Sequence, residues 1–339
     1  MDETALARCG DRPPAPDGKK APPGEPRPRR ARALLAAALC APPPTRPLYA
    51  VDFSGAADYA RRVWIASWLP GRPARVLCGA DLPAFTYSLL VERIAGSEGV
   101  WLCDFPFGLP VALAAEQGLP THDWAALVRA FAARYPTAET FYTATHARAG
   151  GVRPGGVSES ELGGAAHGPE PKRRCDRLHR TPMAPSNRRL YKQTYHGLRD
   201  LLLPLLEHHR ARVALLPWDA PVASARSVWV AEGCPASVLW QAGIQPRGYK
   251  GRTTACRERR AALLAALEAS GLPIEAATRQ RAVADPGGDA LDALILLTAA
   301  ARCADPARAA ALVPGYPDHA ARLQALEAAG LVIEADVYT

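Results

Sequence analysis

The sequence predicts an α/β fold, a mixed sheet in which an antiparallel three-strand meander joins parallel strands, with helices on its faces. Three observations lead there. Three strand-like runs follow one another with short links between Leu48 and Ala80, and successive strands joined by tight turns pair antiparallel. Val100–Cys103 (VWLC) is a continuous apolar run, as in a strand buried on both faces. Helical patterns then separate that run from later strand-like ones, the order that parallel connections require.

Taken in order, Leu48–Phe53 (LYAVDF) is the first strand, ending at Ser54-Gly55. Arg62–Leu69 and Ala74–Ala80 are the second and third, with Pro70-Gly71 as the turn between them. Ser88–Ala95 has a helical pattern, and Phe105-Pro106-Phe107-Gly108 terminates the fourth strand. His122–Tyr135 is a helix, with Trp124, Leu127, Val128 and Phe131 on one face. Tyr195–His209 is another, interrupted by Pro204. Arg212–Leu216 and Ser227–Ala231 are later strands, and Cys256–Ser270 is an amphipathic helix carrying Leu263, Leu264 and Leu267. Asp289–Ala301 (DALDALILLTAAA) is so apolar that it must be a buried helix. Leu331–Ile333 is expected to close the chain as an edge strand.

The 339 residues suffice for one large domain, and 48% hydrophobic with 22% charged is ordinary globular composition. No stretch approaches eighteen uncharged apolar residues, which excludes a transmembrane helix. Eleven of the 33 prolines lie in residues 1–47. That segment reads as a disordered Pro/Arg-rich tail ahead of a domain spanning 48–339. Ala33–Ala41 inside it resembles a signal-peptide core. The thirty-odd preceding residues, five of them acidic, and the prolines after it favour a short helix and a cytoplasmic protein instead.

The net charge is +8. Residues 1–46 hold nine basic and five acidic residues, and the glycine-rich stretch 148–192 holds ten and four, so these contribute +4 and +6 and leave the remainder at −2. The positive charge is therefore local. It suggests an anionic partner, and in 148–192, read as a long loop inserted in the domain, it suggests nucleic acid. Eight cysteines without short spacings fit neither a zinc ribbon nor a disulfide scaffold. They suit a reducing compartment.

Against that background the carboxylates stand out. Asp52 lies in the first strand, Asp104 directly follows VWLC, Glu232 directly follows VWVA, and Asp289 and Asp292 share one face of the most apolar helix. Singly, each has a plain structural reading: Asp52 and Asp104 as turn caps, Asp289 as a helix N-terminal charge, Asp285 as its N-cap, Glu232 as a strand-end carboxylate. Together they are costly to bury unless paired or metal-bound. Oxygen ligands without His or Cys point to Mg²⁺ or Mn²⁺, which as a pair about 4 Å apart serve phosphodiester cleavage.

Five segments in this order resemble domain-of-unknown-function family 429, grouped as predicted RNase H-fold nucleases. They are Val51-Asp52-Phe53-Ser54-Gly55-Ala56, Asp104-Phe105-Pro106-Phe107-Gly108-Leu109-Pro110, Glu232-Gly233-Cys234-Pro235-Ala236, Tyr249-Lys250-Gly251 and Gly288-Asp289-Ala290-Leu291-Asp292-Ala293-Leu294. The resemblance spans roughly residues 48–338. It implies an RNase H-like mixed sheet with the first strand central, and a metal-dependent nuclease. It also implies a carboxylate set of Asp52 on the first strand, Asp104 at the fourth, and Asp289 with Asp292 on a late helix. Glu232 is an additional carboxylate, and Lys250 is read either as facing a phosphate or developing charge or as a solvated lysine after a loop tyrosine. Arg173, Arg174, Arg177 and Arg180 are candidates for phosphate contacts, with a mobile solvated loop as the equal alternative. Two other classes compete: an actin/sugar-kinase-like phosphotransferase, for which Asp52-Phe53-Ser54-Gly55 would be a phosphate loop, and a non-catalytic nucleic-acid-binding module.

Overall fold

The computed structural model describes Leu39 and residues 43–146, 171–312 and 315–339. The tail and its Ala33–Ala41 segment, apart from Leu39 and residues 43–47, and residues 148–170 of the basic stretch lie outside the described residues. The chain folds into a seven-stranded mixed sheet flanked by helices. Its strands are β1 (Leu48–Asp52), β2 (Trp64–Trp68), β3 (Arg75–Cys78), β4 (Gly99–Cys103), β5 (Val213–Leu215), β6 (Val228–Gly233) and β7 (Val337–Tyr338). They run in the order β3-β2-β1-β4-β6-β5, with β7 beside β6. β1–β3 form the antiparallel meander, with Asp52 opposite Trp64 and Arg75 opposite Ser67. β1, β4, β6, β5 and β7 pair in parallel.

All of β4 is buried, as its unbroken apolar run demands. Alternation along the strands divides the core in two. Ala50, Leu102 and Ala231 face one layer, built on the Asp289–Ala304, Pro235–Gln241 and Thr254–Ala269 helices. Val51, Cys103 and Val230 face the other, which holds Phe53, Phe105, Phe107, Phe131 and Phe141 and the Tyr87–Ala95 and Trp124–Arg134 helices. Every residue from Ala290 to Cys303 is buried, and that helix packs across β1, β2 and β4. Each fully buried leucine or isoleucine there contributes about 1.5–3 kcal/mol.

Several boundaries differ from the sequence reading. The Tyr191–His196 helix passes into a wider π turn at Gly197–Leu202 and continues as Leu203–His208, so Pro204 does not interrupt it. The wide turn accommodates a residue that lacks an N–H and crowds the preceding turn. Leu331–Ile333 forms no strand. The Leu331 N–H donates to the Leu326 carbonyl and the Glu334 N–H to the Leu331 carbonyl, giving the single turn Val332–Glu334, and Ala335 at φ 65° redirects the chain. The closing strand is β7, which is buried and pairs with Glu232 and Gly233. That pairing extends β6 two residues beyond Ala231. Within the basic stretch, residues 171–192 are not simply a loop, since Arg174–Leu178 is a helix. No helix among the described residues is long and apolar enough to cross a membrane.

Candidate functional site

β1 and β4 lie side by side with Val51 level with Cys103, and the Asp104 N–H continues the ladder to the Val51 carbonyl at 2.9 Å. Asp52 and Asp104 are therefore neighbours at the carboxyl ends of two central strands. Both point to the layer occupied by the Asp289–Ala304 helix, whose first turn brings Asp289 and Asp292. Asp285 satisfies that turn instead of either of them, accepting from the Gly287 and Ala290 N–H groups at 2.9 and 3.0 Å. Asp289 and Asp292 are thus left to face the site.

Asp292 is almost fully buried, and its two oxygens have separate partners. Oδ1 accepts from the Tyr249 hydroxyl at 2.8 Å and Oδ2 lies 2.7 Å from Lys250 Nζ. The same ammonium lies 3.7 Å from Asp289 Oδ1. Tyr249 and Lys250 reach this position because residue 288 is glycine. A Cβ there would stand 3.0 Å from the Tyr249 ring, and its φ of 76° is left-handed. Arg260, buried on the helix beneath, donates to the Tyr249 and Gly251 carbonyls at 2.5 and 3.0 Å and pins the loop. Sequence reading missed Arg260. Its signal was an arginine on the apolar stripe that carries Leu263, Leu264 and Leu267.

The carboxylates perturb one another. Burial, then the Asp289 and Asp292 charges, raise Asp52 well above the ordinary carboxylate range. Burial, then Asp292, push Asp104 up to about 8 despite Lys250 and a hydrogen bond with Asp52. Burial lifts Asp289 to about 6, with Lys250 opposing. Lys250 is half-exposed. Desolvation works against its charge, but Asp292 and Asp52 outweigh it and hold the ammonium protonated.

Glu232 belongs to a different arrangement. It pairs in register with Cys103, so it points to the opposite layer from Asp52 and Asp104. There its Oε1 accepts from Arg173 Nη2 at 2.5 Å, and its Oε2 from Arg173 Nη1 at 2.7 Å and the Phe107 N–H at 2.8 Å. Arg173 is 1% exposed. Its remaining N–H groups go to both oxygens of Asp176 at 3.0 and 2.8 Å and to the Glu334 carbonyl at 3.1 Å. All five guanidinium donors thus have acceptors. This buried network fastens the start of the segment 171–192 to β6. Its far end is fastened at Gly55, where a Cβ would come within 2.3 Å of the Lys192 backbone. The Gln193 side chain there donates to the Phe53 carbonyl.

A cavity of about 1230 Å³ opens over the acids. Asp52, Asp104, Asp289, Asp292, Glu232 and Lys250 all line it, and Arg177, Arg180, Arg188, Arg189 and Arg247 stand among its walls. Of the four arginines singled out from the sequence, Arg173, Arg177 and Arg180 line it, Arg173 as the buried anchor, and Arg174 is exposed outside it. As the side chains stand, no three His, Cys, Asp or Glu groups among the described residues converge closely enough to hold one metal ion.

No curated protein and no solved structure matches the chain. A family model does, over residues 52–319, a span that begins at Asp52 and includes Asp104, Glu232, Lys250, Asp289 and Asp292. The chain belongs to the family described as protein of unknown function, DUF429.

Proposed function

We propose that this chain is a divalent-cation-dependent nuclease of RNase H-like architecture, cleaving phosphodiester bonds at the Asp52–Asp104–Asp292 cluster. The observation that carries the reading is the pairing of an acidic floor with an arginine-lined wall in one cavity. Cationic walls suit a polyanionic ligand, and clustered acids suit the cations that phosphodiester chemistry uses. The strand order supports the RNase H-like reading. A central first strand lies between an antiparallel partner and a parallel fourth strand, and carboxylates sit on the first strand, at the fourth and on a late helix.

The donors are chemically suited to Mg²⁺ or Mn²⁺, being all oxygen. Burial first, and then the neighbouring carboxylates, raise the pKa values of Asp52 and Asp104, and a divalent cation would favour their charged forms. Asp52, Asp104, Asp289 and Asp292 would hold the ions after a side-chain shift, since as they stand no three of them converge on one point. Such ions supply Lewis acidity and lower the pKa of a bound water. The chain's own contributions are separate. Tyr249 orients Asp292, Lys250 offers its ammonium to a phosphate oxygen, and Arg177 and Arg180 bind the flanking backbone. Glu232 acts as a positioning residue through Arg173. The phosphotransferase alternative requires a second strand meander, and the described residues hold one sheet with one meander.

The test incubates the full-length chain with single- and double-stranded DNA and RNA in Mg²⁺ or Mn²⁺. Cleavage is expected, and Asp52→Asn and Asp104→Asn are expected to abolish it without lowering the melting temperature. Full activity in Asp52→Asn overturns the assignment of the site. Tight, salt-sensitive binding without cleavage under either metal moves the reading to a non-catalytic nucleic-acid-binding protein.

A further inference from the structure

Four large apolar side chains are exposed among the described residues: Leu89, Leu178, Val222 and Trp240. Only Trp240 lines the acidic cavity. It stands near the end of the Pro235–Gln241 helix, which starts directly after β6 at the cavity floor. Five residues at about 1.5 Å of rise each carry the indole some 7.5 Å along that helix from Pro235. The indole is 37% exposed beside a charged cavity.

Its neighbour is equally specific. The Arg180 guanidinium lies 5.4 Å from the Trp240 ring centroid. Arg180 has φ 54°, a left-handed conformation that non-glycine residues rarely keep. The next residue holds it there. The Thr181 N–H donates to the Asp176 carbonyl at 2.9 Å and the Thr181 hydroxyl to Asp176 Oδ1 at 2.9 Å. Asp176 is itself locked by buried Arg173. The anchoring network therefore ends by holding a cation against an aromatic face at the cavity wall, with Arg177 and Arg247 along the same cavity.

Resting on the nuclease reading, we infer that Trp240 is a stacking platform for an unpaired nucleobase, with Arg180 beside it for the adjoining phosphate, so that the ligand is a single-stranded segment of nucleic acid. Base faces are available for stacking only when the strand is unpaired. An aromatic ring interleaved with cations is the arrangement that binds single strands without regard to sequence. The arginines take the phosphates, and the indole takes the base.

The experiment is fluorescence anisotropy of end-labelled strands with the full-length chain in chelator, so that nothing is cut. Three ligands are compared: a single-stranded oligonucleotide, an abasic strand of the same length, and the duplex. Wild type is expected to prefer the base-bearing single strand. Trp240→Ala is expected to lose about tenfold for that strand, the scale of one base–aromatic stack, and to bind the abasic strand as wild type does. Trp240→Phe is expected to retain most of the affinity. Unchanged binding by Trp240→Ala, or equal loss for the abasic strand, overturns the stacking site and leaves the nuclease reading intact. Wild type that binds none of the three ligands overturns both.

Discussion

Arg173 and Glu232 meet as a buried bidentate pair, Nη2 to Oε1 at 2.5 Å and Nη1 to Oε2 at 2.7 Å, between segments 59 residues apart in sequence. Removing one partner leaves the other charge buried and unpaired. Arg173→Ala is therefore expected to destabilise the fold by about 3–5 kcal/mol in urea denaturation. Arg173→Lys should recover only part of this, because an ammonium cannot span Asp176 and Glu232 with a planar fork. A loss under about 1 kcal/mol in Arg173→Ala would show that the pair does not anchor the segment.

Cation binding has a readout independent of catalysis. A ligand that binds only the folded state raises the melting temperature with its concentration. Mn²⁺ is expected to do so for the wild type, and Asp292→Asn to lose the effect. Lys250→Met removes a competing positive charge 2.7 Å from Asp292, so its melting temperature should respond more strongly to Mn²⁺ than the wild type's. Identical responses in all three proteins would place the cation elsewhere.

Without metal, Asp104 makes stability depend on pH. Its folded value is raised to about 8, above the unfolded value of about 3.9. Between these the folded state binds more protons than the unfolded state, so stability falls as pH rises through that window and levels off above it. Asp104→Asn is expected to flatten this decline and to melt higher than wild type at about pH 9 in chelator, with little difference at about pH 4. Parallel pH profiles for the two proteins would contradict the burial and repulsion assigned to this carboxyl.

Arg177 lines the cavity and Arg174 does not. Arg177→Ala should weaken binding of any nucleic acid about equally. It should also reduce the slope of log affinity against log salt by about 0.7–0.9, one phosphate contact. Arg174→Ala should leave both unchanged. Equal effects from the two variants would contradict the cavity as the binding surface.

Much of this was legible in the chain. Asp52, Asp104, Asp289 and Asp292 stood out because, although each alone has a plain structural reading, several carboxylates beside apolar runs are costly to bury together. The buried Asp289 helix followed from composition alone. Glu232 was harder. Its face depends on strand register, and that register is set by pairing with β4, more than a hundred residues away. Read with β6 in register with Cys103, alternation alone sends it away from Asp52. Arg173 looked like one more loop cation because its neighbours are basic and its acceptors are distant. Arg260 was hidden in the same way, since a buried arginine and a solvated one are the same letter until the carbonyls it serves are known.

The double fastening of residues 171–192 has an energetic consequence. Arg173 ties one end to β6, and Lys192 closes on Gly55 at the other. A span pinned at both ends has surrendered its freedom before any ligand arrives. The ordering entropy of the cation-bearing wall, on the order of 1–2 kcal/mol per residue for backbone alone, is charged to folding. What remains at encounter is the freedom of the ligand strand and of a few arginine side chains. Loosening either tie would shift that cost from folding to binding, and affinity would fall although no residue that touches the ligand had changed.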